Sequence, residues 1–159
     1  MNKSLGVAMS CVLSFFGFIN IAPASPAFGV VPTLLSRATF EPFSVRTDHD
    51  APIKFQAKAK TELDVVVRRH DYAVGGHTGW HMHPGPVFIT VKTGTLTFYE
   101  YDDPTCTPIV VEAPGGYVDD GHGHIGVNTG ADAAVDVSVI LAPVGGTFRS
   151  ELPSGQCGF

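Results

Sequence analysis

Short apolar runs separated by turn residues constrain the fold of this chain more than any other feature of its sequence. The runs are rich in β-branched residues, which pack well on a pleated sheet. They lie at Val65–Val67, Val87–Val91, Thr95–Tyr101, Ile109–Val111, Ile125–Val127 and Ala133–Leu141. The turn signals between them lie at Gly75–Gly76, Thr93–Gly94, Asp102–Pro104, Pro114–Gly116 and Thr129–Gly130. Because no window shows a convincing helical period, the pattern predicts an all-β sandwich or barrel.

The chain has 159 residues, which is the length of one ordinary domain. It contains no internal repeat, linker or low-complexity tract after its N-terminal segment. We expect residues 28–60, with their spaced prolines, to form an N-terminal arm or edge strands. Residues 61–143 hold the strand runs and form the predicted barrel, and residues 144–159 form a C-terminal tail.

The first residues have the pattern of a secretory signal peptide, which we assign to residues 1–27. Lys3 is the only charged residue before Arg37, and an interrupted apolar stretch is followed by small residues. We expect cleavage after Ala24 or Ala27 and a secreted or periplasmic protein. A retained transmembrane anchor is the alternative, but polar and glycine residues weaken the stretch below the roughly 20 apolar residues that a span needs.

The charge balance excludes one large class of partners. Ten Lys and Arg residues against 15 Asp and Glu residues give a formal net charge of −5. Such a chain lacks the positive surface that binds nucleic acid or anionic lipid. We therefore expect no nucleic-acid partner and, after cleavage of the signal peptide, no contact with a membrane.

Two cysteines remain once the signal peptide with Cys11 is removed. They are Cys106 and Cys157, and an even number of cysteines in an exported protein suggests a disulfide. The bridge would close a loop of about 50 residues and pin the C-terminal tail to the loop after Tyr101. Two unpaired thiols are the alternative.

Paired histidines are the residues with the clearest chemical potential. His81 and His83 are spaced i, i+2, so on a strand their side chains point to one face, roughly 6.6 Å apart. Both rings can then converge on one metal ion. His122 and His124 form a second pair at the start of another short strand. Neutral imidazoles suit Zn, Cu, Fe or Ni better than Mg or Ca.

The residues around the first histidine pair resemble the first motif of the cupin family. Gly75 is followed, after five residues, by His81-x-His83 and, after a strand, by Gly94. The resemblance spans residues 60–143 and implies a double-stranded β-helix, or jelly-roll barrel, whose mouth holds a divalent metal. One departure is that Val87 occupies the position of the family's glutamate ligand.

The second cupin motif is similar to the segment that begins at residues 114–116 and continues to His124 and Asn128, which have the family's H-x-x-x-N spacing. In the family the histidine usually follows the proline and glycine more closely. This chain therefore carries an insertion at residues 119–123.

The resemblance implies a three-histidine metal site formed by His81, His83 and His124. His122 and Asp119 are lesser candidates for the third ligand. The expected cofactor is one divalent transition metal, and its identity among Fe, Mn, Zn, Ni and Cu stays open. Open coordination positions would accept water or a small-molecule ligand or substrate.

A three-histidine site without a carboxylate is similar to the sites of cupin dioxygenases that act on thiols, diketones or gentisate. No glutamate lies between His83 and Glu100, so no general base is recognisable near the ligands and the catalytic residues are unknown. Dioxygenase-like activity on a small molecule is the favoured function. A non-catalytic, metal-dependent small-molecule binding module and a structural metal are the alternatives. The oligomeric state stays open, with a homodimer as the candidate assembly.

Several further residues have ordinary structural interpretations. We expect Phe88 and Tyr99 to pack in the core and Trp80 to pack in the core or at the rim of the pocket. We interpret His70 as an ordinary surface or sheet residue, and Asp119 as a solvated turn carboxylate with a small chance of binding metal.

Overall fold

The computed structural model describes residues 24–158, so the predicted signal peptide lies outside the described residues except for its last four positions. Within this range, no helix is long and apolar enough to cross a membrane. The strands are β1 (Phe28–Phe40), β2 (Phe43–Arg46), β3 (Gln56–Ala59), β4 (Leu63–His77), β5 (His81–Met82), β6 (Val87–Thr93), β7 (Thr95–Glu100), β8 (Ile109–Glu112), β9 (Gly116–Asp119), β10 (His124–Val127), β11 (Ala134–Ala142) and β12 (Ser150–Glu151).

All the strands except the β2–β3 hairpin join one ten-stranded antiparallel sheet. One half of this sheet has the order β1–β4–β11–β6–β9, and the other half has the order β12–β5–β10–β7–β8. The two halves meet where Val127 of β10 pairs with His77 of β4. The result is a nearly closed, all-strand double-stranded β-helix, which confirms the predicted fold class.

The longest strand runs through a predicted turn. β4 continues past Gly75 and Gly76 because Gly75 adopts a φ of 73°, which a glycine tolerates and other residues rarely do. A Cβ on Gly76 would lie 2.6 Å from the carbonyl oxygen of Gly29, so only glycine allows β1 to approach β4 here. The turn predicted at these glycines is therefore wrong, because the chain does not reverse there. The two glycines instead allow a bend within β4.

The main core lies between the two halves of the sheet. Phe98 of β7 stacks on Tyr117 of β9 with ring centroids 4.3 Å apart, which ties the halves together. On β6 the buried positions alternate, and Val87 and Ile89 face inward. Phe88 between them is 44% exposed, so its prediction as a core residue is wrong. Each fully buried aliphatic side chain of this kind contributes about 1.5–3 kcal/mol to folding.

A second core cluster lies under the C-terminal tail. Trp80 is fully buried there, which confirms packing in the core, and Gly155 lies so close that a Cβ would be 2.7 Å from the indole ring. The predicted Cys106–Cys157 disulfide is present, with a Cα–Cα distance of 5.5 Å. It joins the loop between β7 and β8 to the tail, so the tail is held against this side of the barrel.

The first described residues pack against the same tail. Ala24 forms an isolated antiparallel bridge with Pro153, and the backbone N–H of Ser25 donates to the carbonyl oxygen of Leu152 at 3.1 Å. Ser25 is buried, and its carbonyl oxygen lies where a Cβ on Gly79 would be. Residues 24–27, which contain both expected cleavage positions, therefore cross the chain just before β5.

Candidate metal centre

The structure brings three histidines from two neighbouring strands together. His81 begins β5, His83 follows that strand, and His124 begins β10, where it is the direct antiparallel partner of His81. All three side chains are buried. The ring centroids lie 4.5–5.5 Å apart, and one potential ligand nitrogen of each ring lies within 4.8 Å of the others.

Backbone carbonyl groups determine which ring nitrogens of the first two histidines are available. Nδ1 of His81 lies 2.9 Å from the carbonyl oxygen of Gly79, and Nδ1 of His83 lies 2.6 Å from that of Phe148. A carbonyl oxygen can only accept, so Nδ1 carries the proton in both rings. In a neutral imidazole this leaves the lone pair on Nε2, which is the atom that binds a metal.

Asp119 lies next to Nδ1 of His124, as the two carbonyl groups lie next to Nδ1 of His81 and His83. Its Oδ1 lies 3.3 Å from Nδ1 of His124. The geometry is not that of a hydrogen bond, and this nitrogen has no hydrogen-bond partner within residues 24–158. Burial raises the pKa of Asp119, but His124 and the N–H of Gly121 outweigh this effect and lower it overall. Asp119 is fully buried, so its interpretation as a solvated turn carboxylate is wrong.

His122 lies outside the cluster. Its side chain is 66% exposed, and its Nδ1 lies 3.5 Å from Asp102 and 3.3 Å from Asp120. Gly121 and Gly123 on either side both have a φ of 100°, so the backbone reverses sharply at each and carries His122 outward. The structure therefore brings His124, rather than His122, next to the first histidine pair.

Burial keeps the imidazoles of His81 and His83 neutral. It lowers the pKa of His81 well below its usual value of 6.5, and the neighbouring His124 lowers it further. The same two causes, in the same order, lower the pKa of His83 to about 4. Neutral imidazole is the form that a metal requires, so near pH 7 these rings are ready to bind without losing a proton.

The histidines line an interior cavity of about 20 Å³, which has room for roughly one water molecule. Val87 lines the same cavity, so the position of the cupin glutamate faces this site but offers no ligand atom. A larger cleft of about 770 Å³ lies elsewhere, between the β2–β3 hairpin and residues 84–86 and 141–144. We place the functional site at the smaller cavity, because the three histidines all border it.

A buried polar network beside the cavity is absent from the sequence-based prediction. The carboxylate of Asp136 on β11 lies 2.8 Å from Nδ1 of His70 and accepts hydrogen bonds from Tyr72 and Ser138. His70 lies on β4, so it is a sheet residue as predicted, but it is only 13% exposed and borders the cavity, so it is not an ordinary surface residue. The signal was available: Asp136 and Ser138 are polar residues at i, i+2 in an apolar run.

The donor set fits a transition metal. Three neutral imidazoles without a carboxylate suit Zn, Cu, Fe or Ni, and three protein ligands leave positions for water or substrate. The two carbonyl groups and Asp119 are the kind of outer partners that orient metal-binding histidines. The three histidines are thus able to hold one metal ion.

Comparison with known proteins yields similarity in structure only. No family model and no curated protein matches the chain. An oxalate oxidase structure is 28% identical over 50% of this chain and 42% of its own, with a TM-score of 0.42. A double-stranded β-helix protein from Klebsiella pneumoniae is 19% identical over 72% of this chain and 81% of its own, with a TM-score of 0.48.

A cupin domain from Bordetella pertussis is 19% identical over 74% of this chain and 95% of its own, with a TM-score of 0.45. The chain spans less than half the length of the oxalate oxidase chains that it matches. The sheet and the clustered histidines of the chain itself define a double-stranded β-helix protein with a three-histidine centre. The resemblance to cupins is thereby confirmed at the level of the fold.

Proposed function

We propose that this chain is an exported single-domain cupin that binds one divalent transition metal through His81, His83 and His124 and performs dioxygenase-like chemistry on a small molecule. The observation that carries the proposal is the common arrangement of the three rings. Each Nδ1 faces an oxygen atom, while one nitrogen of each ring lies within 4.8 Å of the others. Divalent Fe, Mn, Zn, Ni and Cu are the candidate ions.

The surrounding residues support such chemistry. A metal bound here would activate dioxygen or polarise an oxygen atom of the substrate. Val87, Ile89 and Phe98 provide apolar walls that limit the access of water. His70 also borders the cavity, and its Nδ1 is held against Asp136.

A second function is favoured by the small size of the cavity. Room for roughly one water molecule is far below the several hundred Å³ of a typical small-molecule site. A metal centre of that size suits a non-catalytic module in which a ligand contacts the metal through one or two atoms. The two functions share the metal and differ in turnover.

Export is the third part of the proposal. The signal-peptide pattern and the Cys106–Cys157 disulfide support it, since disulfides persist in oxidising compartments. Cleavage after Ala24 would keep the hydrogen bond between Ser25 and Leu152, whereas cleavage after Ala27 would remove it. N-terminal sequencing of the secreted protein should find Ser25 or Phe28, and intact Met1 in a membrane fraction would contradict export.

Elemental analysis of purified variants tests the metal site. Wild-type protein should contain one metal ion per chain, and alanine at His81, His83 or His124 should abolish this content while the barrel stays folded. His122→Ala is the matched control, because it removes a nearby but exposed histidine, and it should keep the metal. Full metal in the His124 variant and none in the His122 variant would show that the third ligand is misassigned, and full metal in every variant would refute the site.

Oxygen consumption separates the two functions. Metal-loaded wild-type protein should consume dioxygen in the presence of its substrate, and the His81→Ala protein should not. A metal-loaded protein that binds small molecules but consumes no oxygen with any of them would be the binding module instead.

A further inference from the structure

Two arginines lie at the boundary between the histidine cavity and a neighbouring cleft. Arg68 lies on β4, and Arg149 lies just before β12. Both border the cavity, and both also border a cleft of about 490 Å³ beside residues 24–27. His70 and Thr78 likewise border both spaces, so the cleft and the cavity adjoin at these side chains.

Arg68 is a cation that forms no ion pair with a carboxylate among residues 24–158. Its Nε is buried and has no hydrogen-bond partner among these residues. The guanidinium lies over the ring of Phe148, 5.0 Å from its centroid. A buried donor that lacks an acceptor costs about 1–3 kcal/mol.

The one carboxylate that borders the cavity is already engaged. Oδ1 of Asp136 lies 2.8 Å from Nδ1 of His70 and accepts from Ser138, and Oδ2 accepts from Tyr72 at 2.8 Å. Asp136 therefore directs its hydrogen bonds to His70, Tyr72 and Ser138, and it acts on Arg68 only through its charge, which raises the pKa of Arg68 less than burial and Arg149 lower it. The guanidinium of Arg68 stays available to a ligand.

Arg149 is held in place at the same boundary. Its Nη2 donates to the carbonyl oxygen of Thr78 at 2.7 Å, and its Nε and Nη2 donate to the carboxylate of Glu151. These bonds hold the guanidinium in one orientation. Its charge lowers the pKa of Arg68, after the larger effect of burial, which is the behaviour of two cations that lie near each other.

We propose that Arg68, with support from Arg149, binds a carboxylate, so that the substrate or ligand of this site is a small organic acid. A guanidinium forms two parallel hydrogen bonds with a carboxylate, which adds geometric specificity to charge. The carboxylate lies between the cleft and the three histidines, and the rest of the acid extends into the cleft. Assigning the acid to a metal-dependent reaction rests on the proposed function, but binding of its carboxylate does not.

Calorimetric titration of metal-free protein with malonate tests the subsite. The metal is removed with a chelator that is then dialysed away, so the histidine centre cannot bind the probe through a metal. Wild-type protein should bind malonate, and Arg68→Gln should weaken binding about 10- to 100-fold, the effect of one hydrogen bond to a charged group. Arg68→Lys keeps the charge but loses the planar pair of donors, so its affinity should lie between the two.

Arg69 provides the matched control on the same strand. Its side chain is 42% exposed and is paired with Asp71 outside the cavity, so Arg69→Gln should bind malonate like the wild type. Equal affinity of the wild-type and Arg68→Gln proteins would overturn the proposal. Should Arg68→Gln fail to fold, an Arg68→Lys protein that binds malonate as tightly as the wild type would overturn it. Inorganic phosphate in place of malonate should bind more weakly, and tighter binding of phosphate would also overturn it.

Metal content distinguishes failure of the subsite from failure of the proposed function. Arg68→Gln should retain one metal ion per chain, because Arg68 is outside the group of potential ligands. Malonate binding that depends on Arg68 in a chain that never binds metal would refute the metal function and support the subsite. Full metal content with malonate binding that is independent of Arg68 would support the metal function and refute the subsite.

Discussion

The folding stability of the metal-free protein should fall between pH 7 and pH 4 because His83 is buried as a neutral group. Its pKa is about 4 in the folded protein, where burial disfavours the charged form and His124 adds to the effect, against about 6.5 in the unfolded chain. Between these values the unfolded chain binds a proton that the folded chain does not. Stability is therefore lost as the pH falls through 6.5 towards 4.

The size of the loss follows from the two pKa values. Their difference corresponds to about 3 kcal/mol at about 1.4 kcal/mol for each tenfold change in proton affinity. About 2 kcal/mol of this is lost by pH 5. This is a large share of the 5–15 kcal/mol that stabilises a typical domain. The side chain of His83 is only 6% exposed, so screening by solvent reduces the effect little.

Urea unfolding followed by the fluorescence of Trp80 measures this loss. His83→Gln keeps a donor near the carbonyl oxygen of Phe148 but cannot take up a proton in this range. Between pH 7 and pH 5 the wild type should lose about 2 kcal/mol more than this variant, because groups that do not interact with His83 titrate equally in both proteins. His122→Gln, changed at an exposed position, should behave like the wild type. Parallel pH profiles for wild type and His83→Gln would refute the buried neutral state.

Three further predictions concern other parts of the molecule. Asp119→Asn should weaken metal binding about 10- to 100-fold in chelator competition because it alters the partner of His124, and unchanged affinity would show that the contact is incidental. Serine at both Cys106 and Cys157 should lower the urea-derived free energy of unfolding by about 4 kcal/mol, given their sequence separation of 51, and an unchanged midpoint would contradict this. The wild type should be a homodimer by light scattering, because β1 exposes apolar side chains such as Leu34. Leu34→Glu should be a monomer, and a monomeric wild type would refute this prediction.

One part of the predicted ligand set depends on local geometry alone. An i, i+2 pair next to a short strand keeps His81 and His83 on one side of the chain whatever surrounds them. The choice of His124 over His122 came from the H-x-x-x-N spacing of the second motif. The structure adds the physical reason for this choice, which is the pair of glycines with positive φ around His122.

The misassigned residues share a different cause. Phe88 is a large apolar residue in a strand, but its two neighbours occupy the inward face, and a strand cannot turn adjacent residues to the same side. In β11 the inward face carries Asp136 and Ser138, while the alternating Val135, Val137 and Val139 are only half-buried. Asp136 is buried because His70 and Tyr72, which are distant in sequence, surround it with partners.

The sequence by itself determined the fold class, the disulfide partners and the set of histidines, because each follows from composition, short-range spacing or recognisable motifs. Only the tertiary structure decided which face of each strand is buried, where Asp119 lies, and that Arg68 and Arg149 meet beside the histidines. Those outcomes depend on the pairing register of strands far apart in the chain, and a slip of one residue would move every side chain to the opposite face. Spacing within one strand carries no information about that register.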